Sequence, residues 1–168
     1  SALFRRTVRM DGRPSIRTVL LKSADERGFT FFTNIESRKG RNIAENPRAA
    51  MCFYWGPLEK QVIVEGDAVR VSEEEANVYW RTRPRDSQVG AWASSQSRPL
   101  GNREEFLQRI ADFTAKFEGD KVPRPPHWTG IRVVPRRIEF WKGMPYRFHE
   151  RTLYEKGPDG WSRTLLFP

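Results

Sequence analysis

Four stretches between residues 15 and 71 concentrate β-branched and aromatic residues and are bounded by turn-forming residues: SIRTVLLK (15–22), GFTFFTN (28–34), RAAMCFYW (48–55) and KQVIVEGDAVRV (60–71). Each is predicted to be a strand. DERG (25–28) predicts a hairpin turn between the first two, and Gly66 predicts a bulge or sharp bend in the fourth.

A helical period takes over in three other places. SRKGRNIAENP starts at Ser37 as N-cap and must stop before Pro47. Ser72 and Glu75 have capping-box spacing and open SEEEANVYWRTR, which Pro84 ends. Asn102 and Glu105 repeat that logic for NREEFLQRIADFTAKFEG, where Phe106, Ile110, Phe113 and Phe117 share one face and Gly119 supplies the stop. That stripe reads as core packing. After the proline-rich loop KVPRPPHW (121–128) strands return in GIRVVP, RRIEFWKG, YRFHERTLYEK and GWSRTLLF. The predicted fold class is mainly β (α+β), a mostly antiparallel barrel with helices packed outside it.

Composition narrows the function classes. The 168 residues suit one domain, 38% of them hydrophobic. No apolar run approaches the roughly 20 residues of a membrane-spanning helix, and SALFRRTVRM has no secretory apolar region. With no initiator Met, the sequence is expected to start inside a longer natural chain. The single cysteine, Cys52, excludes an internal disulfide and a cysteine-cluster metal site; in AAMCFYW it reads as a small buried thiol, and the expected location is cytoplasmic. A net charge of +9 points to nucleic acid, anionic membrane or phosphorylated small molecules.

The placement of the basic residues separates these. In RFHER, strand alternation would put Arg147, His149 and Arg151 on one face, which suits a bound anion or an exposed edge. SRKGR sets three basic residues at a helix start, against the helix dipole, a conflict that a phosphate would remove. Arg17 and Lys22 fall on opposite faces of a regular strand. In YWRTRPRDSQVGAW, Tyr79 and Arg83 share a helix face, and Ser87 lies beyond the proline, where hydroxyl and guanidinium can close around one phosphate. Four separate clusters favour a small ligand with more than one phosphate over a nucleic-acid backbone. No nucleophile motif, Gly-rich dinucleotide loop or P-loop is present. The only histidines, His127 (a loop packing residue) and His149, form no metal-ligand pattern. Phosphate grips without a nucleophile, acid–base pair or metal imply an organic cofactor.

The ordered motifs RTVLLK, FFTNIESRKGR, KQVIVEG, YWRTRPRDSQVGAWASSQS, VPRPPHW, RIEFWKG and RFHER, with the terminal Pro168, resemble the pyridoxine (pyridoxamine) 5′-phosphate oxidase family over nearly the whole chain. The resemblance implies one split-barrel domain over residues 1–168, acting as a homodimer with FMN in clefts at the interface and with no nucleic-acid or membrane partner. Arg17, Arg38 and Lys39 would grip the FMN phosphate. Phe32, Thr33, Ser37, Gln61, Gln96, Ser97, Trp141 and Arg151 would complete the flavin site, and Val19, Leu20, Leu21 and Lys22 would line the flavin ring. Lys22, Tyr79, Arg83 and Ser87 would hold the phosphate of a vitamin B6 substrate, with Arg147 and His149 as catalytic residues at its pyridine ring. The implied activity is oxidation of pyridoxamine or pyridoxine 5′-phosphate to pyridoxal 5′-phosphate, with O2 reduced to H2O2. Arg85 and Asp86 remain as scaffold or interface residues. Glu150 stands where the family usually has Asp, and phenazine-biosynthesis oxidases carry Glu there; alternation predicts that it points away from the ligand. The RPRDSQ segment separates this chain from those relatives. A flavin oxidase for another aromatic substrate, a non-catalytic flavin or pyridoxal-phosphate binder and a basic nucleic-acid binder are the competing readings.

Overall fold

A computed structural model describes the backbone of residues 3–8 and 14–168 and the side chains from Ser15 onward. The chain order is β1 (Leu3–Val8), β2 (Pro14–Val19), β3 (Ser23–Asp25), β4 (Gly28–Asn34), α1 (Arg38–Glu45), β5 (Arg48–Trp55), β6 (Lys60–Arg70), α2 (Glu73–Arg81), α3 (Arg85–Ala93), α4 (Arg103–Lys116), β7 (Trp128–Lys142), β8 (Glu150–Gly157) and β9 (Gly160–Leu166). The strands form one sheet in the order β2-β1-β5-β6-β7-β4-β3, with β8 paired to β7 and β9 to β8. The β1–β2, β1–β5, β3–β4, β5–β6, β7–β8 and β8–β9 pairings are all antiparallel. The mainly β, mostly antiparallel class is as the sequence predicts.

The chain divides into two compact units, each with its own core. The first comprises residues 1–31, 42–69 and 131–168. Its strands alternate inward and outward, so Phe31, Met51, Phe53, Val64, Ile131 and Val133 are buried together. The second comprises residues 32–41 and 70–130. Trp80, Val89, Phe117, Val122 and Trp128 form its core, with Ile110 and Phe113 of the predicted α4 stripe packed against it.

The helix signals resolve as capping bonds. Ser72 Oγ accepts from Glu75 N at 3.1 Å, and Asn102 Oδ1 accepts from Glu105 N at 2.8 Å. Ser37 Oγ accepts from Gly40 N at 3.3 Å, and Gly119 takes φ +75° beyond α4.

Several expectations are corrected. Residues 85–93, which belong to none of the three predicted helices, form a helix of their own, α3, with Pro84 as N-cap. Residues 147–149 precede β8: Pro145–Arg147 is a 3-10 turn in which Tyr146 (φ 58°) and Arg147 (φ 64°) are left-handed, so the alternation assumed for RFHER does not apply. GIRVVP and RRIEFWKG are one continuous strand, β7, running through Pro135. Gly66 makes no bulge against β5, since the register steps evenly through Arg48↔Asp67, Ala49↔Gly66 and Ala50↔Glu65. It marks a close approach instead: a Cβ there would lie 2.0 Å from the Val134 carbonyl oxygen and 3.0 Å from Pro135 Cα. β2 ends at Val19, leaving Lys22 outside it with its N–H on the Thr30 carbonyl at 2.8 Å, so the opposite-face argument for Arg17 and Lys22 also falls. Among the described residues no helix is long and apolar enough to cross a membrane.

Candidate functional site

In the second unit, Lys39 is drawn inward. It is 8% exposed, and its Nζ donates to Thr33 Oγ1 at 2.8 Å, Ser37 Oγ at 3.2 Å and Gln96 Oε1 at 2.5 Å. Strand β4 supplies Thr33, the α1 N-cap supplies Ser37, and Gln96 follows α3. These three acceptors are neutral dipoles, which orient the ammonium without cancelling its charge. Arg38 is exposed at the first position of α1, whose first turn contains no acid. Four predicted phosphate or flavin residues are thus brought together by hydrogen bonds, at a helix start that carries a cation where an anion would be favoured. Ser97, exposed with φ +71°, follows Gln96.

The second cluster of this unit is aromatic and cationic. Phe32 stacks on Tyr79 (centroids 4.0 Å apart) and on Trp128 (5.0 Å), so this predicted flavin residue is itself packed against the unit's core. Arg83 Cζ lies 4.7 Å from the Trp128 ring centroid and 5.1 Å from that of Trp80. Its Nη1 is buried and, among the described residues, without a hydrogen-bond partner. Burial lowers the Arg83 pKa below the usual arginine value, with the Tyr79 side chain opposing the shift. Four residues on, Ser87 is exposed in the first turn of α3, whose cap provides no side-chain bond, so the first N–H groups of that helix are left for another acceptor. Arg85 is bound quite differently, donating to the carbonyls of Asp120 (2.8 Å) and Phe117 (2.5 Å) and so tying α3 to the end of α4. Those bonds make Arg85 a scaffold residue.

In the first unit, half-buried Arg17 donates from Nη2 to Ser15 Oγ at 3.0 Å, and buried Asn42 donates to the same oxygen at 2.8 Å. Val19 and Leu21 pack on the core, whereas Leu20 and Lys22 are exposed. Gln61 and Trp141 line one cleft of about 410 Å³ together with Trp55, Leu58, Phe140 and Glu150. By register Glu150 lies opposite Lys142, one position along from the Trp141–Arg151 pair, and it lines this cleft beside Trp141 and does not point away from the predicted flavin residues; Lys142 Nζ donates to it at 3.3 Å. The His149 ring lies 4.8 Å from the Trp141 ring, and its Nδ1 accepts from Met144 N at 3.2 Å. Arg151 sits opposite Trp141 and donates from Nε to the buried Glu139 carboxylate at 2.8 Å and from Nη1 to the Phe167 carbonyl at 3.0 Å. That carboxylate raises the Arg151 pKa. Arg147 is exposed.

Sequence reasoning missed Glu139, Trp80 and Trp128, the residues that hold Arg151 and Arg83. Nothing local marks Glu139. Trp128 closes the VPRPPHW motif, and an aromatic ending a proline-rich loop was the available signal.

Similarity to known proteins identifies the family. Residues 6–117 match the family model described as pyridoxamine 5′-phosphate oxidase, and residues 128–168 match that of the pyridoxine 5′-phosphate oxidase C-terminal dimerisation region. The chain is 56% identical over 163 residues to a pyridoxine/pyridoxamine 5′-phosphate oxidase of Alkalilimnicola ehrlichii, covering 96% of this chain and 83% of that protein. It is 56% identical over 168 residues to one of Rubrobacter xylanophilus, covering 100% and 77%. Among solved structures it resembles PhzG from Burkholderia lata in complex with tetrahydrophenazine-1-carboxylic acid, with a TM-score of 0.94, 36% identity and 99% and 82% coverage. It shares its fold with a pyridoxamine 5′-phosphate oxidase-related FMN-binding protein of Nostoc punctiforme, with a TM-score of 0.79, 20% identity and 99% and 88% coverage. With both family models matched in order, the chain belongs to the pyridoxamine 5′-phosphate oxidase family.

Proposed function

We propose that this chain is an FMN-dependent oxidase that converts pyridoxine or pyridoxamine 5′-phosphate to pyridoxal 5′-phosphate, with molecular oxygen as acceptor. The observation that carries the reading is Arg83: a partly buried guanidinium, flanked by indoles, whose Nη1 lacks a partner just before an uncapped helix start. Such a group suits a dianionic phosphate on the substrate better than a structural role.

The residues also fit FMN. Lys39, aligned by neutral oxygens at the start of α1, suits its phosphate, and the family resemblance adds Arg38 and Arg17 to that role. By the same resemblance Phe32, Thr33, Ser37, Gln96, Ser97, Val19, Leu20, Leu21, Lys22, Gln61, Trp141 and Arg151 are the further cofactor residues. Bound FMN would supply the hydride-accepting and O2-reducing chemistry, with H2O2 as the second product. The chain's own work is to hold the substrate phosphate with Lys22, Tyr79, Arg83 and Ser87 and to set the pyridine ring with Arg147 and His149. A hydride and a proton leave the substrate alcohol to give the aldehyde; the amine gives an imine, which water hydrolyses with release of ammonia. The 128–168 segment, matched as a dimerisation region, supports a homodimer. In this reading residues 1–168 act as one domain, FMN binds at the dimer interface, and the protein works in the cytoplasm.

A phenazine-type oxidase is the second reading, favoured by the PhzG likeness and by Glu150. The 56% identity to the B6 oxidases against 36% to PhzG supports the first. Anaerobic addition of pyridoxine 5′-phosphate to FMN-loaded protein decides between them. Bleaching of the flavin band, restored by air with formation of an aldehyde, is expected. A band that stays yellow in protein that retains FMN would move the assignment to another substrate.

A further inference from the structure

The loop at residues 121–128 carries one of the indoles that meet Arg83, that of Trp128, and anchors the other, that of Trp80. Trp80 Nε1 donates to the Val122 carbonyl at 2.9 Å, and Trp128 N donates to the Pro125 carbonyl at 3.0 Å. Arg124, from the middle of this loop, donates from Nη1 to the Trp128 carbonyl at 2.5 Å and from Nε to Asn77 Oδ1 at 2.7 Å, and its Nη2 pairs with Glu73. The loop is thereby bound to α2, the helix that precedes Arg83. Both rings are buried, and they meet edge to face, with centroids 4.9 Å apart and planes at 68°, forming a corner. The Arg83 guanidinium occupies that corner.

A guanidinium carries its N–H groups in its own plane and its weakly hydrated faces above and below. An indole face attracts the cation without using an N–H. A carboxylate in the same place would hold Arg83 equally well, but would occupy its donors and cancel its charge. We propose that Trp80 and Trp128, seated by the 121–128 loop, are positioning residues that hold Arg83 in place for the substrate phosphate while leaving its donors free for that anion. The assignment rests on the reading of Arg83 as a phosphate grip. It gives the VPRPPHW segment a purpose: to build an arginine mount of rings where an acid would defeat the function.

The test compares Trp128→Leu, Trp128→Phe and Arg83→Lys in FMN-loaded enzyme, with steady-state kinetics on pyridoxine 5′-phosphate and flavin affinity from fluorescence quenching. Trp128→Leu is expected to raise KM by about tenfold, with kcat held within about twofold and flavin affinity unchanged. Trp128→Phe keeps an aromatic face and recovers most of the loss. Equal KM increases for Leu and Phe, or a parallel fall in kcat and flavin affinity, would overturn the proposal in favour of simple packing. Arg83→Lys separates the two layers. If it leaves KM unmoved, the phosphate role of Arg83 is wrong; if it raises KM while Trp128→Leu does not, only the positioning role is lost. Should Trp128→Leu fail to fold, protein made with ring-fluorinated tryptophan serves instead, since fluorine drains the ring face at nearly constant shape. A raised KM with flavin affinity held supports the mount, and an unchanged KM overturns it.

Discussion

Arg151 and Glu139 form an ion pair, Nε to Oε1 at 2.8 Å, on adjacent strands β8 and β7, and the carboxylate side chain is only 10% exposed. Removing the arginine strands a buried carboxylate, whereas the arginine itself is about one-third exposed and partly screened. Arg151→Ala is therefore expected to destabilise the flavin-free protein by about 1–2 kcal/mol, below the figure for a fully buried pair. Urea denaturation without FMN measures this, and an unchanged midpoint would show the pair to be incidental.

Lys39→Met keeps length and apolar bulk and removes the charge. If Lys39 bonds the FMN phosphate, flavin affinity should fall by about 10- to 100-fold, as for a charge-assisted hydrogen bond. Titration of apo-protein with FMN, followed by loss of flavin fluorescence, reads this directly; an affinity within about threefold of the parent would remove Lys39 from the phosphate site.

The bond from Met144 N–H to His149 Nδ1 sets a tautomer. An Nδ1 that accepts cannot carry the proton in neutral imidazole, so Nε2 carries it, and from that nitrogen neutral His149 can donate but not accept. Nitrogen-15 NMR of labelled protein should place Nε2 in the protonated range and Nδ1 in the unprotonated range. The reverse pattern would free His149 to act as a general base.

Cys52 is half-buried, less enclosed than the sequence suggests, and that partial burial holds its thiol above its ordinary pKa of 9.0. A pKa raised on folding means that the native state resists the thiolate, so its contribution to stability is complete below pH 9 and is lost as pH rises through the higher folded value. Native protein at about pH 8 should react with an aromatic disulfide reagent far more slowly than the urea-unfolded chain. Equal rates would place the thiol at the surface.

Much of the sheet was legible because its strands announce themselves locally. GFTFFTN and RAAMCFYW are β4 and β5 at the predicted bounds, and the Ser72 and Asn102 caps need only three residues of context. Helix α3 was not legible, since its sequence holds Gly90 and little amphipathic pattern. Its support comes from Arg85 reaching carbonyls more than thirty residues away. RFHER alternates like a strand, but two left-handed residues break the alternation. Pro135 reads as a strand end, yet β7 continues past it where Gly66 leaves room. In the site, the charged residues were legible by type, and their holders were not, because Glu139, Trp80 and Trp128 act across strands and loops.

Pro84 separates two arginines with opposite fates. Arg85 is consumed by main-chain carbonyls, and Arg83 is kept between two rings with nitrogen to spare. A long flexible cation on an open surface must surrender its rotational freedom at the moment of binding, on the order of 1 kcal/mol for such a side chain. Arg83 has surrendered it already, in folding. The weakening that a bound anion would otherwise suffer has been moved into the stability of the fold, where an entire aromatic core shares it.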